Sequence, residues 1–372
     1  MQNYHVELHS EPSTSYRCQR AANSLDIDIT KKLTHVLDVA ANLTSPFNIG
    51  LIVGASGSGK TTLAHTIFGA ACFLPILDLN RTVLDQLPVA FDYDECAKYL
   101  NGIGLNSVPC WIRPASTLSN GQRTRAEAAL HLAHSKPDET CAIDEWTSVV
   151  DRTVAKAMSH CVQKLARKLN RRFVLCSCHY DVVDWLCPDW VIDCNKGTFT
   201  TYDTAHWDAK KKSRQLRFDI RQVPRTTWRY FSKYHYLTER LPGGLIYTFG
   251  LFHENEQIGF QCFANYVPKR REHLRMQMHS NRTVIHPDYC GLGLGIKLID
   301  ATSAEMLRRG FDIRAKYTSE PVFRAMRNNP AWKLLDTHTQ LGKTSTGGNM
   351  MRQAGFRENV TTYSFKFIGN AK

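Results

Sequence analysis

The stretch Gly54-Ala55-Ser56-Gly57-Ser58-Gly59-Lys60-Thr61-Thr62 constrains this chain more than any other. It follows an apolar run, Phe47 to Val53, that predicts a strand, and it leads into Leu63 to Phe68, which predicts a helix. Two glycines with four residues between them, then Lys60 and Thr61, form a phosphate-binding loop in strand-to-helix context. Glycines let backbone N–H groups converge on a polyphosphate, and the helix N-terminus adds positive potential there. Gly54, Ser56, Gly57, Ser58, Gly59, Lys60, Thr61 and Thr62 are the expected ATP-binding residues. Lys60 would reach the β- and γ-phosphates, and Thr61 would hold Mg²⁺. The competing reading is a glycine- and serine-rich turn before a helix, to which the lysine and threonine would be incidental.

Four further segments follow in order. They are Leu118-Ser119-Asn120-Gly121-Gln122, Cys141-Ala142-Ile143-Asp144-Glu145, Trp146 to Asp151, and the apolar run Val174 to Cys178 ending on His179. Together they resemble the signature motif, Walker B strand, D-loop and switch histidine of ABC-type ATPases, with Asn120 where that family usually has Gly. Each has a physical task. Asp144 can hold Mg²⁺ directly or through water, and Glu145 can orient and deprotonate an attacking water. His179 can hydrogen-bond a γ-phosphate. Ser119 and Gly121 can cradle a phosphate from the far side at a helix start. In the family that far side belongs to a second subunit, so the resemblance implies a head-to-tail homodimer with two shared ATP sites. It also implies Gln86 as the Mg²⁺-sensing glutamine. Only 59 positions separate Lys60 from Ser119, a short helical subdomain that argues against docking on a membrane permease.

Charge divides the 372 residues. Residues 206–372 hold 28 Lys and Arg against 13 Asp and Glu, whereas residues 1–205 hold 19 against 21, so all the net positive charge is C-terminal. The expected division is an ATPase domain at 1–205, a basic linker at 206–222 containing Lys210-Lys211-Lys212-Ser213-Arg214, and a second domain at 223–372. Such asymmetry suits a polyanionic partner, nucleic acid ahead of acidic membrane, against the plainer reading of a solvated basic surface. No apolar run reaches membrane-spanning length and the N-terminus lacks an apolar secretion segment, so a cytoplasmic protein is expected, in the host cytoplasm if it comes from a phage. The twelve cysteines lack framework spacing, and Cys176, Cys178, Cys187 and Cys194 near His179 read as small packed hydrophobes ahead of a zinc site.

The second half predicts a helix at Trp228 to Leu237, strands at Leu245 to Phe252, Gln257 to Ala264 and Met276 to Ile285, a helix at Ile296 to Arg308, then strands at Phe311 to Lys316 and Thr361 to Phe367. Between the third strand and the second helix lies Val284-Ile285-His286-Pro287 through Gly295. This order, with the late Gly355-Phe356, resembles the GNAT acyltransferases. The resemblance implies a mixed central sheet and an acyl-CoA site, acetyl-CoA or a related donor, at Val284, Ile285, Cys290, Gly291, Leu292, Gly293, Leu294 and Gly295. Backbone N–H groups of the loop would take the diphosphate, and the N–H near Ile285 would polarise the thioester carbonyl. Cys290 stands where the family usually has Arg or Gln, and Met351 where many members carry a tyrosine acid. A polar insertion, Asn328 to Gly348, is a candidate substrate loop.

For proton transfer the candidates are His235 and Tyr236, with Ser319 beside Glu320. The Tyr234-His235-Tyr236 segment also resembles the His-Tyr element of the Mom-type GNAT enzymes that modify adenine in phage DNA. Trp228, Tyr230, Tyr234 and Tyr236 would stack on an extruded base or, on the plainer reading, build the core of an amphipathic helix. The expected whole is an α/β P-loop ATPase domain followed by an α+β GNAT-like domain. Its expected activity is ATP-dependent acyl transfer to an amine on a nucleic-acid base, DNA before RNA. Two alternatives stay open: an ATP-driven nucleic-acid switch or clamp whose second domain lacks chemistry, and an acetyltransferase acting on a small amine or a protein.

Overall fold

The structure is a computed structural model that describes residues 1–28, 33–73, 75–209, 217–235, 240–265, 275–340 and 360–369. It divides into two compact units, Met1–Gln215 and Leu216–Lys372.

In the first unit, β1 (Gln2–Ser10) and β2 (Leu33–Ala41) pair antiparallel around α1 (Tyr16–Ser24). Strands β3 (Ile49–Val53), β4 (Thr140–Ile143), β5 (Arg172–Ser177), β6 (Trp190–Asp193) and β7 (Thr198–Thr201) form a five-stranded sheet in the order β4-β5-β3-β6-β7. The first four run parallel, and β7 is antiparallel to β6. Parallel strands are buried on both faces and read as continuous apolar runs. Ile49, Leu51, Phe173 and Leu175 accordingly join one core, with residues of α3 (Tyr93–Gly102), α5 (Asn120–His134) and α6 (Arg152–Leu169) and Trp111 of the short α4 (Val108–Trp111). Ile52, Val174 and Cys176 join the other, with Leu63 and Ala64 of α2 (Lys60–Phe68) and Val6, Leu37 and Val39 of the β1–β2 pair. Short helices α7 (Val182–Leu186) and α8 (Thr204–Ala209) complete the unit.

The second unit is built on a seven-stranded sheet in the order β13-β14-β12-β11-β10-β9-β8. The strands are β8 (Asp219–Gln222), β9 (Ile246–His253), β10 (Glu256–Asn265), β11 (Gln277–Ile285), β12 (Asp312–Tyr317), β13 (Trp332–Gln340) and β14 (Val360–Phe367). All ladders are antiparallel except β11 with β12, which α9 (Trp228–Phe231) precedes and α10 (Leu294–Arg308) connects; α11 (Glu320–Arg327) follows β12. Phe263 and Met278 pack with Ile299 and Met306 of α10 on one face, whereas Phe260, Cys262 and Val284 pack with Trp228 and Phe231 on the other. The architecture is therefore α/β followed by α+β with a mixed sheet, as the sequence leads one to expect.

Three elements differ from the sequence expectation. The helix expected at Trp228 to Leu237 is a broken run: single 3-10 turns at Arg225–Thr227 and Ser232–Tyr234 flank α9, and His235 is extended. Threonines and aromatics are poor helix formers, and packing of Trp228 and Phe231 on Phe260 decides the shape. The supposed substrate loop at Asn328 to Gly348 is largely the edge strand β13, whose alternation is hidden by a register shift between Leu334 and Asp336; residues 341–348 lie outside the described residues, as do Met351 and Gly355. The stretch expected as a linker is structured at both ends, with Trp207 buried and donating to Pro188 O at 3.0 Å and Asp219–Gln222 paired to β9.

Gly50 shows how tightly the first sheet is filled. A Cβ there would lie 2.0 Å from Trp190 Cζ2, and Trp190 is held edge-on by Phe47 and stacked on Phe68. Gly50→Ala is expected to cost about 2 kcal/mol by overpacking, read as a lower urea midpoint with an unchanged slope.

Candidate functional site

The carboxyl ends of β3, β4 and β5 lie side by side, because β5 sits between the other two and all three run parallel. From β3 the chain enters the loop Gly54 to Gly59. Gly57 and Gly59 have φ of +79° and +86°, a region that favours glycine, and Gly59 directly precedes α2. Gly54 is needed for a close approach, since a Cβ there would lie 2.4 Å from Ser58 Oγ and 3.0 Å from Cys194 Cβ. Ser56 and Gly57 are exposed at the crown, and Ser58 is buried. Lys60, only 4% exposed, donates from Nζ to Gly54 O at 3.0 Å and Ala55 O at 2.8 Å. Thr61 Oγ1 donates to Asp144 Oδ2 at 2.6 Å, joining residues 83 apart in sequence. A hydroxyl and a carboxylate at this spacing are hard oxygen donors that suit Mg²⁺. Thr62 is half-buried on the first turn of α2.

Beyond Asp144 the backbone turns sharply, with Glu145 and Thr147 at φ +51° and +68°. Ser148 Oγ donates to the Glu145 carboxylate, and Asp144 Oδ1 accepts from Glu145 N at 2.9 Å. Trp146, fully buried, fixes this turn: its backbone N–H donates to Cys176 O at 2.7 Å and its indole to Ser159 Oγ at 2.9 Å. Ser177 Oγ donates to Trp146 O and accepts from His179 N, so the ends of β4 and β5 are stitched together. Cys178 Sγ lies 3.6 Å from His179 Nδ1.

Sequence reasoning missed the brace on the other side of the loop. Asn195, just past β6, accepts from Ala55 N at 3.1 Å through Oδ1 and donates to Tyr180 OH at 3.2 Å; Tyr180 in turn donates to Asp193 Oδ1 at 2.9 Å. No local motif announces this contact, which spans 140 residues.

Ser119 and Asp151 stand at helix starts. Ser119 caps α5 in a capping box with Gln122, leaving Asn120 exposed and Gly121 buried in the first turn. Asp151 caps α6, accepting from Thr153 N and Val154 N. Gln86 does something other than sense a metal: its side-chain amide donates to Asp78 O and Thr82 O and accepts from Asp78 N, which consumes both ends within its own loop. Cys176, Cys187 and Cys194 are buried free thiols, and burial above all pushes the Cys176 thiol well above its usual range. Among the described residues no group of three His, Cys, Asp or Glu converges as metal ligands.

In the second unit β11 pairs with β12 only from Gln277↔Asp312 to Ser280↔Ala315. Asn281 is an extra residue opposite β10, since Cys262 pairs with Arg282 and Phe263 with Ser280. A bulge of this kind bends a strand, and beyond it no ladder joins Arg282, Thr283, Val284 and Ile285 to β12. This opens a slot whose edge is the backbone of β11. Val284 is buried and Ile285 half-buried; then comes a 3-10 turn, Pro287–Tyr289, followed by Cys290, Gly291 (φ +88°), Leu292 and Gly293 (φ +71°), which directly precedes Leu294 at the start of α10. A Cβ on Gly295 would meet only Ile285 Cγ1, at 3.9 Å. Cys290 Sγ lies 3.8 Å from Ile285 O and 3.6 Å from His286 O, turned back on its own loop.

The proton-transfer candidates are not gathered. His235 packs edge-on against Trp228 at 5.6 Å, and burial first, then Arg282, pushes its pKa down to about 4, so it is a weak base at neutral pH. Tyr236 lies outside the described residues. Ser319 is exposed and precedes α11, whose Glu320 accepts from Tyr363 OH at 2.7 Å. Instead, Tyr234 OH meets His286 Nε2 at 3.1 Å, a pair the sequence gave no reason to connect.

No protein-family model matches the sequence, and no curated protein matches it. Among solved structures the chain is similar to an ATP-binding cassette in a dimeric post-hydrolysis state with ADP and phosphate, at 17% identity and TM-score 0.35, covering 45% of this chain and 92% of that one. It is similar to Arabidopsis thaliana NAA60 in complex with a bisubstrate analogue, at 13% identity and TM-score 0.31, covering 41% and 100%. It is also similar to a ribosomal-protein-alanine N-acetyltransferase from Brucella melitensis, at 12% identity and TM-score 0.25, covering 32% and 67%.

The Asn195 brace yields a direct expectation. Asn195→Ala removes one acceptor from the loop backbone, worth about 1 to 2 kcal/mol. Equilibrium titration with ATP should then show a dissociation constant raised about five- to thirty-fold.

Proposed function

We propose that this chain is an ATP-binding and ATP-hydrolysing enzyme joined to an N-acyltransferase that takes an acyl-CoA, acetyl-CoA in the simplest case, and acylates an amine on a nucleic-acid base. The observation that carries the first half is the convergence of Lys60, Thr61 and Asp144 on one strand edge. The ammonium would pair with phosphate, and Thr61 and Asp144 would hold Mg²⁺. When bound, the metal neutralises charge developing on the β- and γ-phosphoryl oxygens. Glu145, oriented by Ser148, would position and deprotonate water, and His179 would hold the γ-phosphate. The exposed helix starts at Ser119 and Asp151 favour a second copy of the chain completing each ATP site head to tail. No described helix is long and apolar enough to cross a membrane, which accords with a partner other than a permease.

For the second half, the support is the slot beside β11 with a glycine turn and the start of α10 at its end. N–H groups of Gly291 to Gly295 would hold the diphosphate, the unpaired backbone edge of β11 the pantetheine arm, and an N–H near Ile285 the thioester oxygen. DNA ahead of RNA as acceptor, and a likeness to Mom-type modification, rest on the charge of +15 over residues 206–372. Arg225, Arg229, Tyr230 and Lys233 are exposed together on the broken helical run, and none of residues 223–235 is acidic. Phosphate would meet the cations and a base the aromatic ring.

The Cys290 thiol, folded onto its own carbonyls in place of a cation, favours a second reading in which this unit binds nucleic acid without chemistry and ATP drives a clamp.

Glu145→Gln is expected to keep ATP affinity while hydrolysis falls about 10²-fold or more, measured by nucleotide titration beside phosphate release. With labelled acetyl-CoA and separate pools of DNA, RNA, protein and polyamines, label should enter nucleic acid. Label in protein or polyamine alone would move the acceptor to those classes, and none anywhere would leave the clamp. Affinity for a DNA oligonucleotide should fall linearly in log–log form with salt, and a flat, absent response would remove nucleic acid as acceptor.

A further inference from the structure

We infer that Tyr234 and His286, with Asp288 behind them, form a proton relay that serves the acyl-transfer slot. The inference rests on the acyltransferase reading above and adds to it the residues that would move the proton.

Geometry carries it. His286 is the first residue past β11, and its N–H still donates to Ile258 O at 2.7 Å, so its position is fixed by the sheet. Along a strand, alternate side chains share a face, which places His286 with Val284 and therefore with the Trp228–Phe231 layer, opposite α10. Tyr234 comes from that layer. Its hydroxyl lies 3.1 Å from His286 Nε2, and the two rings meet edge-on at 5.1 Å. On the other side of the imidazole, Nδ1 lies 3.6 Å from Asp288 Oδ2. The side chains of His286 and Asp288 are 33% and 30% exposed, so the pair borders solvent and an acceptor can approach it. Other titratable or charged groups around it among the described residues are Tyr289, whose ring is 6.3 Å from His286, Cys290, whose sulfur faces His286 O, and Lys233, whose Nζ is 4.9 Å from the Tyr234 ring. The tautomer with a proton on Nδ1, facing Asp288, leaves Nε2 free to accept from Tyr234.

In the transfer, the acceptor nitrogen forms a bond to the acyl carbon and the carbon–sulfur bond breaks. The nitrogen's proton passes to Tyr234 oxygen as the Tyr234 proton passes to His286 Nε2. Asp288 then balances the imidazolium, and the proton returns through Tyr234 to the departing thiolate, giving an amide and a free thiol. His235, desolvated against Trp228, has no such route in the described contacts.

Tyr234→Phe keeps the ring and loses the hydroxyl; His286→Asn keeps an acceptor for the Asp288 N–H and loses the base. Thiol release from acetyl-CoA should be followed with the full-length protein and a mixed pool of DNA, RNA, polyamine and peptide. Each variant should lose about 10²-fold or more in kcat with KM for acetyl-CoA little changed, and His286→Asn should erase the acid limb of the pH–rate profile. NMR titration should also show the His286 imidazole pKa moved by Tyr234→Phe, which reads the contact without turnover. Variants that keep kcat and the acid limb while the wild type is active would overturn the relay and leave the acyltransferase standing. So would an imidazole titration unchanged by Tyr234→Phe. A wild type that binds acetyl-CoA but releases no thiol with any acceptor would remove the acyltransferase reading, and the relay with it.

Discussion

A buried ammonium held by backbone carbonyls is the interaction around which the first unit is arranged. Lys60 is almost completely removed from water, and burying a cation is costly unless it is paired or hydrogen-bonded. Gly54 O and Ala55 O take two of its three donors and fix its direction, leaving a donor for an anion. That geometry requires the loop to fold back over the lysine, which needs a glycine at 54, where a Cβ would collide with Ser58, and at 57 and 59, where φ is positive. It also requires β3, β5, β4 and β6 to run parallel, since only then do the braces from Asn195 and Ser177 and the carboxylate of Asp144 arrive at the same edge.

The second unit uses the same local unit, a strand running through glycines into a helix, but opens its sheet to do so. In the first unit the parallel strands stay paired to their ends, and ligand chemistry is confined to the rim. Here one additional residue, Asn281, parts β11 from β12 midway and turns the backbone itself into a binding edge. The two faces of that opening are furnished differently. Helix α10 and the glycine turn lie on one side, and the aromatic run from Trp228 to Tyr234 lies on the other, so donor and acceptor are offered separate approaches.

Legibility in the sequence follows the range of the contacts. The strand, loop and helix around Lys60 are consecutive, and Ile49–Val53 and Lys60–Phe68 stand nearly where apolar pattern and glycine spacing put them. Strands β9 to β12 and helix α10 were visible for the same reason. What stayed hidden depends on residues far apart or on broken periodicity. The bulge at Asn281 leaves no mark in composition, β13 loses its alternation at Leu335, and the β1–β2 pair joins segments separated by a helix. At the sites, the Thr61–Asp144 contact joins two motifs each recognisable alone, whereas Asn195 and the Tyr234–His286 pair, 52 residues apart, belong to no motif. The histidine chosen from sequence, His235, sits beside the tyrosine that makes the contact; an extended backbone after Tyr234 sends the neighbouring side chains in different directions.

The division of charge then acquires a physical meaning. Residues 1–205 carry a net −2 although they hold the triphosphate loop, because a preorganised site needs one well-placed cation, helix-start N–H groups and a metal, and no diffuse field. Residues 206–372 carry +15, far more than a coenzyme's diphosphate calls for when a glycine turn already supplies N–H donors. The surplus is spread over exposed side chains such as Arg225, Arg229 and Lys233, where each charge is screened within about 8 Å at physiological ionic strength. Charge of that kind is poor at fixing one small ligand and effective at attracting a long anion with many phosphates, so the excess argues for a polymer acceptor independently of the acyl-donor slot.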